Sequence, residues 1–260
     1  GELASLSVMQ REEVIRGAVA AAAGRLPVLV GIADTCLDNS LHLGRLAGEV
    51  GAAAAVVAAP YYYDLSADEL RRYFCQLLSR LELPVMVYNM PWLTGHDLDE
   101  GTLRAVMEFP NLIGFKDSSG DLGFLERLLG IAAPRPEVAV LAGNEALFLE
   151  GLRLGAHGVV GGGSNIDPAL FVRLLAAFRA GDETTAEFCQ RRINELGRRI
   201  FGLTGRPTSI FVTIKAALSC LGLCEPHVAP PLTCCTPAQL ETLRQALAAD
   251  WMPATAQAAV

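Results

Sequence analysis

"PVMVYNM" (84–90) and "NLIGFKDSSGD" (111–121) are the two stretches whose reading decides the fold. In each, Val, Ile, Leu, Met or Phe follow one another without alternating with polar residues. A strand with one wet face alternates, so an unbroken aliphatic run reads as a parallel strand covered on both faces. Four further runs share this character: "PVLVGIA" (27–33), "AAAVVAAP" (53–60), "VAVLAG" (138–143) and "GVVGGG" (158–163). Polar loops and amphipathic helices lie between them. Ser66, with Glu69 three residues on, predicts a capping box at the head of "DLSADELRRYF" (64–74). "HDLDEGTLRAVM" (96–107) opens in a similar way, and Pro168 sits where a first helical turn should begin in "NIDPALFVRLLAAF" (165–178). Strand then helix, about six times over, predicts right-handed βα units and a parallel sheet.

After Gly181 the strand-like runs stop. "DETTAEFCQRRINELGRRIF" (182–201), "PTSIFVTIKAALSCLGL" (207–223) and "TPAQLETLRQALAAD" (236–250) read as three helices, and the Ala-rich end "MPATAQAAV" (252–260) as a frayed tail. The chain thus divides into a βα portion, 1–180, and a helical region, 181–260. About six strands are fewer than the roughly eight βα units of a closed barrel. Two architectures stay open on periodicity alone: an open doubly wound sheet, or a barrel whose first two units lie upstream of Gly1.

The 260 residues are 52% hydrophobic and carry a formal charge of −7. That composition describes a globular protein, and the absence of a basic cluster leaves no footprint for nucleic acid or an anionic membrane. No apolar run reaches the roughly 20 residues that span a bilayer, and the first segment has no basic start of a signal peptide, so the cytoplasm is expected. Seven cysteines without CxxC spacing read as reduced thiols. Cys220, Cys224, Cys234 and Cys235 lack the tight ligand pairs of structural zinc, and His42, His96 and His157 form no ligand pattern, so no metal is expected. There is no GxSxG nucleophile turn.

Lys116 lies inside an apolar strand, where a lysine either snorkels to water or points its amine into a protected pocket. In a pocket, desolvation favours the neutral amine, which attacks a ketone to form an imine. Tyr88 ends the preceding strand, so neighbouring parallel strands would bring phenol and amine to one rim, where the phenol can relay protons; it can equally be a tyrosine that caps a core. Tyr61, Tyr62 and Tyr63 follow Pro60 on a loop, and three successive aromatics cannot share one core face. At least one should face a pocket or another subunit. "AGNEA" (142–146) and "GVVGGGSN" (158–165) end later strands with glycines that admit close approach of an anion or hydroxyl. Asn144 and Glu145 would hold hydroxyls of a polar substrate or cap the following helix.

Together "VYNMP" and "GFKDSSGD", with Lys116 following Tyr88 at this spacing, resemble the dihydrodipicolinate synthase and N-acetylneuraminate lyase family of Schiff-base-forming (βα)8 barrels. "APYYYDLSADEL", "GLRLGAHGVVGGGSN" and "VTIKAALSCLGL" resemble it in the same order, over essentially the whole chain. The resemblance implies that Lys116 forms an imine with pyruvate or another 2-keto acid, that no cofactor beyond this covalent imine is used, and that Tyr88 shuttles protons. It implies that Tyr62 enters the site of a neighbouring subunit in a homo-oligomer, a dimer of dimers, and that Val160, Ser118 and Gly143 line the keto-acid pocket. "GELASLS" (1–7) resembles the end of the family's "GTTGE" loop, which would place the first two units before residue 1. The expected fold is therefore an α/β (βα)8 TIM barrel lacking its first two βα units, with a C-terminal three-helix extension.

Synthases of the lysine pathway carry an arginine where this chain has Leu93, and Asn144-Glu145 resembles the hydroxyl-binding pair of sialic acid lyases. "GGGSN" and "TGHDLD" resemble 2-keto-3-deoxygluconate aldolases. The implied activity is a lyase or aldolase acting on a polyhydroxylated 2-keto-3-deoxy acid, with a 2-keto acid and an aldehyde as partners. Dihydrodipicolinate synthesis proper and an imine-forming dehydratase or deaminase are the alternatives within the family. A non-catalytic or binding-only barrel is the alternative of another class.

Overall fold

A computed structural model describes residues 1–205 and 209–248. Residues 206–208 and 249–260, including the expected frayed tail, lie outside the described residues. Among the described residues six strands form one sheet: β1 (Leu29–Gly31), β2 (Ala54–Ala58), β3 (Val85–Asn89), β4 (Leu112–Asp117), β5 (Ala139–Ala142) and β6 (Gly158–Val159). They stand in the order β1-β2-β3-β4-β5-β6, and every neighbouring pair is parallel. A doubly wound sheet reverses its strand order at a switch point. This sheet has no reversal, so the doubly wound alternative falls.

The helices alternate with the strands: α1 (Val8–Ala22), α2 (Leu37–Glu49), α3 (Ala67–Arg80), α4 (Pro91–Thr94), α5 (Glu100–Met107), α6 (Leu122–Ala132) and α7 (Phe148–Leu154). α3 and α5 begin where their caps were read. Ser66 and Glu69 exchange the two hydrogen bonds of a capping box at α3, and Ser7 does the same with Gln10 at α1. Asp99 caps α5 by accepting from the N–H groups of Gly101 and Thr102.

The chain separates into two compact units. Residues 6–144 and 150–159 form one, which holds all six strands. Ala55, Val57, Val85, Val87 and Val140 are fully buried on the face that the helices cover, with Phe74, Leu77 and Leu128 coming down onto them, and Ala54, Ala58 and Met86 are buried on the other face. Of the described residues, 1–5, 145–149, 160–205 and 209–248 form the other. There α8 (Pro168–Arg179) packs against α9 (Glu183–Ile200), and α9, α10 (Ser209–Cys220) and α11 (Pro237–Ala248) enclose a cluster including Leu196, Ile200, Ala216 and Leu243. Pro168 is the first residue of α8, as its fixed φ favours. Glu2 belongs to this unit: its carboxylate accepts from Lys215 Nζ at 2.7 Å and from the Ala229 N–H at 2.9 Å.

The sixth strand is shorter than "GVVGGG" predicts. Gly163–Asn165 turns into a 3-10 helix instead of extending the strand. The cause is Glu145, whose Oε2 accepts the Gly163 N–H at 2.7 Å. A Cβ on Gly163 would stand 2.7 Å from Glu145 Oε1, so the glycine is what lets the loop close on the carboxyl.

Candidate active site

Strand register builds the site. Tyr88 and Lys116 are paired residues of β3 and β4, near the carboxyl ends of both strands. The Lys116 amine lies 4.1 Å from the centre of the Tyr88 ring. Burial strips water from the amine and pushes its pKa down to about 8, which brings the neutral, nucleophilic form within reach of neutral pH.

The Tyr88 hydroxyl donates to Met90 Sδ at 3.1 Å and shares a hydrogen bond with Ser118 Oγ, also at 3.1 Å. Burial raises its pKa, and the nearby Asp117 charge raises it further, while the Ser118 bond works the other way. The phenol therefore stays protonated and can donate. Ser118 is buried, and Gly143 on β5's outgoing loop makes room for it: a Cβ at Gly143 would overlap Ser118 Oγ and come within 3.0 Å of both Lys116 Cε and the Asp117 carbonyl. The Gly143 N–H donates to that carbonyl at 2.6 Å.

Four of the expected site residues, Lys116, Tyr88, Ser118 and Gly143, thus come together. Asn144 follows, half-buried, with its amide beside Gly120. All three loop tyrosines are exposed; Tyr62 is 80% exposed and meets the Tyr63 ring edge-on. The Tyr63 carbonyl is held at 2.8 Å by the ring of buried His96, which anchors the loop. Leu93 is exposed on α4 and supplies no charge.

Val160 and Glu145 belong to the other unit. Val160 is exposed, whereas Glu145 is buried beneath the glycine loop. Glu145 Oε1 has no hydrogen-bond partner, and burial raises the carboxyl pKa. Gln190 of α9 fixes the Glu145 turn by donating to its carbonyl at 3.0 Å and accepting from the Leu149 N–H at 2.8 Å. Among the described residues no group of three or more His, Cys, Asp or Glu side chains is placed to hold a metal ion. All seven cysteines are free thiols. No helix among the described residues is long and apolar enough to cross a membrane.

One part of the site was not foreseen. Asn89 and Asp117, which directly follow Tyr88 and Lys116, hydrogen-bond at 2.9 Å through Asn89 Nδ2 and Asp117 Oδ1. Superposing "YN" on "KD" at the predicted rim would have shown that two polar residues must meet behind the reactive pair.

A desolvated lysine beside a protonated phenol, at the carboxyl ends of parallel βα strands, defines a class: enzymes that work on small molecules at the strand-end rim. Comparison with known proteins gives the family. Residues 1–250 match the dihydrodipicolinate synthetase family. The chain is 32% identical over 247 residues to the 4-hydroxy-tetrahydrodipicolinate synthase of Methanoculleus marisnigri, covering 95% of this chain and 82% of that protein. It is 31% identical over 248 residues to the probable 2-dehydro-3-deoxy-D-pentonate aldolase YjhH of Escherichia coli K12, covering 95% and 79%. The crystal structure of YagE, a family member from E. coli K12 in complex with pyruvate, superposes with a TM-score of 0.88 at 30% identity, over 95% of this chain and 83% of that one. The chain belongs to the dihydrodipicolinate synthetase family, whose members are lyases of the class I aldolase type.

Proposed function

We propose that this protein cleaves or condenses a polyhydroxylated 2-keto-3-deoxy acid through an imine on Lys116. The observation that carries the reading is the pairing of Tyr88 with a Lys116 amine whose pKa burial lowers to about 8. The neutral amine attacks the C2 carbonyl of the keto acid, and water leaves as the protonated imine forms. That imine withdraws electrons from the C3–C4 bond, which breaks to release an aldehyde and leave the enamine of pyruvate. Tyr88 relays the protons, taking one on its oxygen as its own passes to its hydrogen-bond partner Ser118, and the reverse. Gly143 lines the keto-acid pocket, Asn144 takes a substrate hydroxyl, and no further cofactor takes part.

Leu93 favours a sugar-acid substrate, because its exposed aliphatic side chain offers no cation to a carboxylate-bearing aldehyde. The aldolase name carried by one relative agrees with this. Dihydrodipicolinate synthesis is the second reading, favoured by the name of the Methanoculleus relative. We also read the singly wound parallel sheet as part of a (βα)8 barrel, followed by the helical region 181–260, and Tyr62 as the residue that reaches the site of a second copy in a cytoplasmic homo-oligomer.

Incubation with pyruvate and borohydride, followed by peptide mass mapping, tests the imine. The expected result is one reduced adduct, on Lys116, which is lost when lysine 116 is replaced by Met. An adduct on another lysine, or none, refutes the reading. Release of pyruvate from 2-keto-3-deoxy sugar acids, compared with condensation of pyruvate and aspartate semialdehyde, separates the two substrate classes.

A further inference from the structure

Strands β3 and β4 do not keep one register along their length. Val85 pairs with Leu112, but Met86 pairs with Gly114, so Ile113 is an extra residue and the ladder resets there. Beyond the reset Tyr88 pairs with Lys116, and Asn89 with Asp117. Aliphatic runs buried on both faces do little to mark one register, because a shifted strand still buries aliphatic side chains. Something at the carboxyl ends has to mark it.

The mark is polar. Asn89 Nδ2 donates one hydrogen to Asp117 Oδ1 at 2.9 Å, across the register pair itself, and the other to Asp97 Oδ1 at 3.1 Å. Its Oδ1 accepts the Leu98 N–H at 3.2 Å, so both donors and the acceptor are engaged in a side chain only 3% exposed. Asp117 is 5% exposed and is held in turn by Ser119, whose N–H and hydroxyl donate to its two oxygens at 3.1 and 2.9 Å. The Asn89 carbonyl accepts the Ser118 N–H at 2.9 Å. Successive strand residues point to opposite faces, so this network lies behind the face that bears Tyr88 and Lys116. A one-residue slip would set Asn89 against Lys116 and take from the buried Asp117 carboxylate the one donor that reaches it from β3, which the fold resists.

We propose that Asn89 and Asp117 form a register lock on the back of the β3–β4 pair, which makes Asn89 a positioning residue that holds Tyr88 level with Lys116. The proposal rests on the imine reading above. The lock acts on the proton-transfer step: as the pyruvate imine loses a C3 proton to give the enamine, the Tyr88 oxygen takes that proton while its own passes to Ser118 and on to water. This relay needs the hydroxyl in line, and a misplacement of about 1 Å can cost roughly a hundredfold.

The test uses the whole chain with pyruvate alone, following hydrogen–deuterium exchange of its methyl group by NMR alongside borohydride trapping. Asn89→Asp removes both donors and sets three carboxylates together. It is expected to slow turnover of methyl exchange by about a hundredfold while Lys116 is still trapped to completion, so that kcat falls far more than KM rises. The exchange variant Asn89→Asp/Asp97→Asn/Asp117→Asn re-forms both side-chain bonds with donor and acceptor swapped, and is expected to recover at least about tenfold of that loss, a coupling that independent sites do not show. A folded Asn89→Asp protein that exchanges pyruvate at the native rate overturns the lock. So does an exchange variant no faster than Asn89→Asp. If Asn89→Asp does not fold, the exchange variant decides: folded and within about tenfold of the native rate supports the lock, and an unfolded or slower protein overturns it. If the unsubstituted protein itself traps no pyruvate, the imine reading has failed, and the positioning role falls with it.

Discussion

Lys116→Met should make this protein more stable, in a pH-dependent way. In the folded chain burial lowers the Lys116 pKa to about 8 from the ordinary 10.5. At about 1.36 kcal/mol for each tenfold change in proton affinity, that displacement corresponds to about 3 kcal/mol of penalty for keeping a charged amine in the site. The sign follows from proton counting. Between about pH 8 and 10.5 the unfolded chain holds the proton and the folded chain does not, so stability rises with pH across that window. Below about pH 8 the penalty is fully present, and above 10.5 it is gone. Methionine fills a similar volume with no charge and removes it. Urea titrations of both proteins at intervals from pH 7 to 11 should show the variant ahead by up to about 3 kcal/mol at pH 7, the gap closing as pH rises. A variant no more stable than the parent at pH 7, or a gap that does not change with pH, refutes the desolvation argument on which Lys116 chemistry stands.

Tyr88→Phe keeps the ring against Lys116 but removes the proton donor; imine trapping should persist while pyruvate release slows by roughly 10²–10³, measured with a coupled pyruvate assay. Gly143→Ala drives a methyl into Ser118 Oγ and should cost roughly 1–3 kcal/mol in urea unfolding; adding Ser118→Ala should return part of it, and simple additivity would count against the packing described. Arg11 and Asp34 form a buried ion pair at 2.7 Å, so Arg11→Ala should cost roughly 3–5 kcal/mol by stranding the carboxylate. The double variant Arg11→Ala/Asp34→Ala should cost less than Arg11→Ala, as read from urea midpoints.

Much of this was legible in the chain because each local signal agreed with the next. Unbroken aliphatic runs marked buried parallel strands, Ser66 with Glu69 marked the start of α3, and the rim position of Lys116 and Tyr88 followed from strand ends alone. The glycine run at 161–163 misled, since glycine after Val-Val extends a strand only when nothing captures its N–H groups, and Glu145, 18 residues away from Gly163, does so. No local pattern announces a partner at that separation. The Asn89–Asp117 bond was hidden for a related reason: it depends on the register reset at Ile113, which periodicity cannot place. Conversely, the strand order removed the doubly wound alternative, which periodicity alone had left standing.

The central claim is that Lys116 forms an imine with a 2-keto acid under the Tyr88 hydroxyl. A crystal structure after soaking with pyruvate tests it most directly. The account predicts continuous density from Lys116 Nζ to C2 of the keto acid, with the Tyr88 hydroxyl within hydrogen-bond distance of the adduct. Pyruvate bound elsewhere beside an unmodified Lys116 would contradict it.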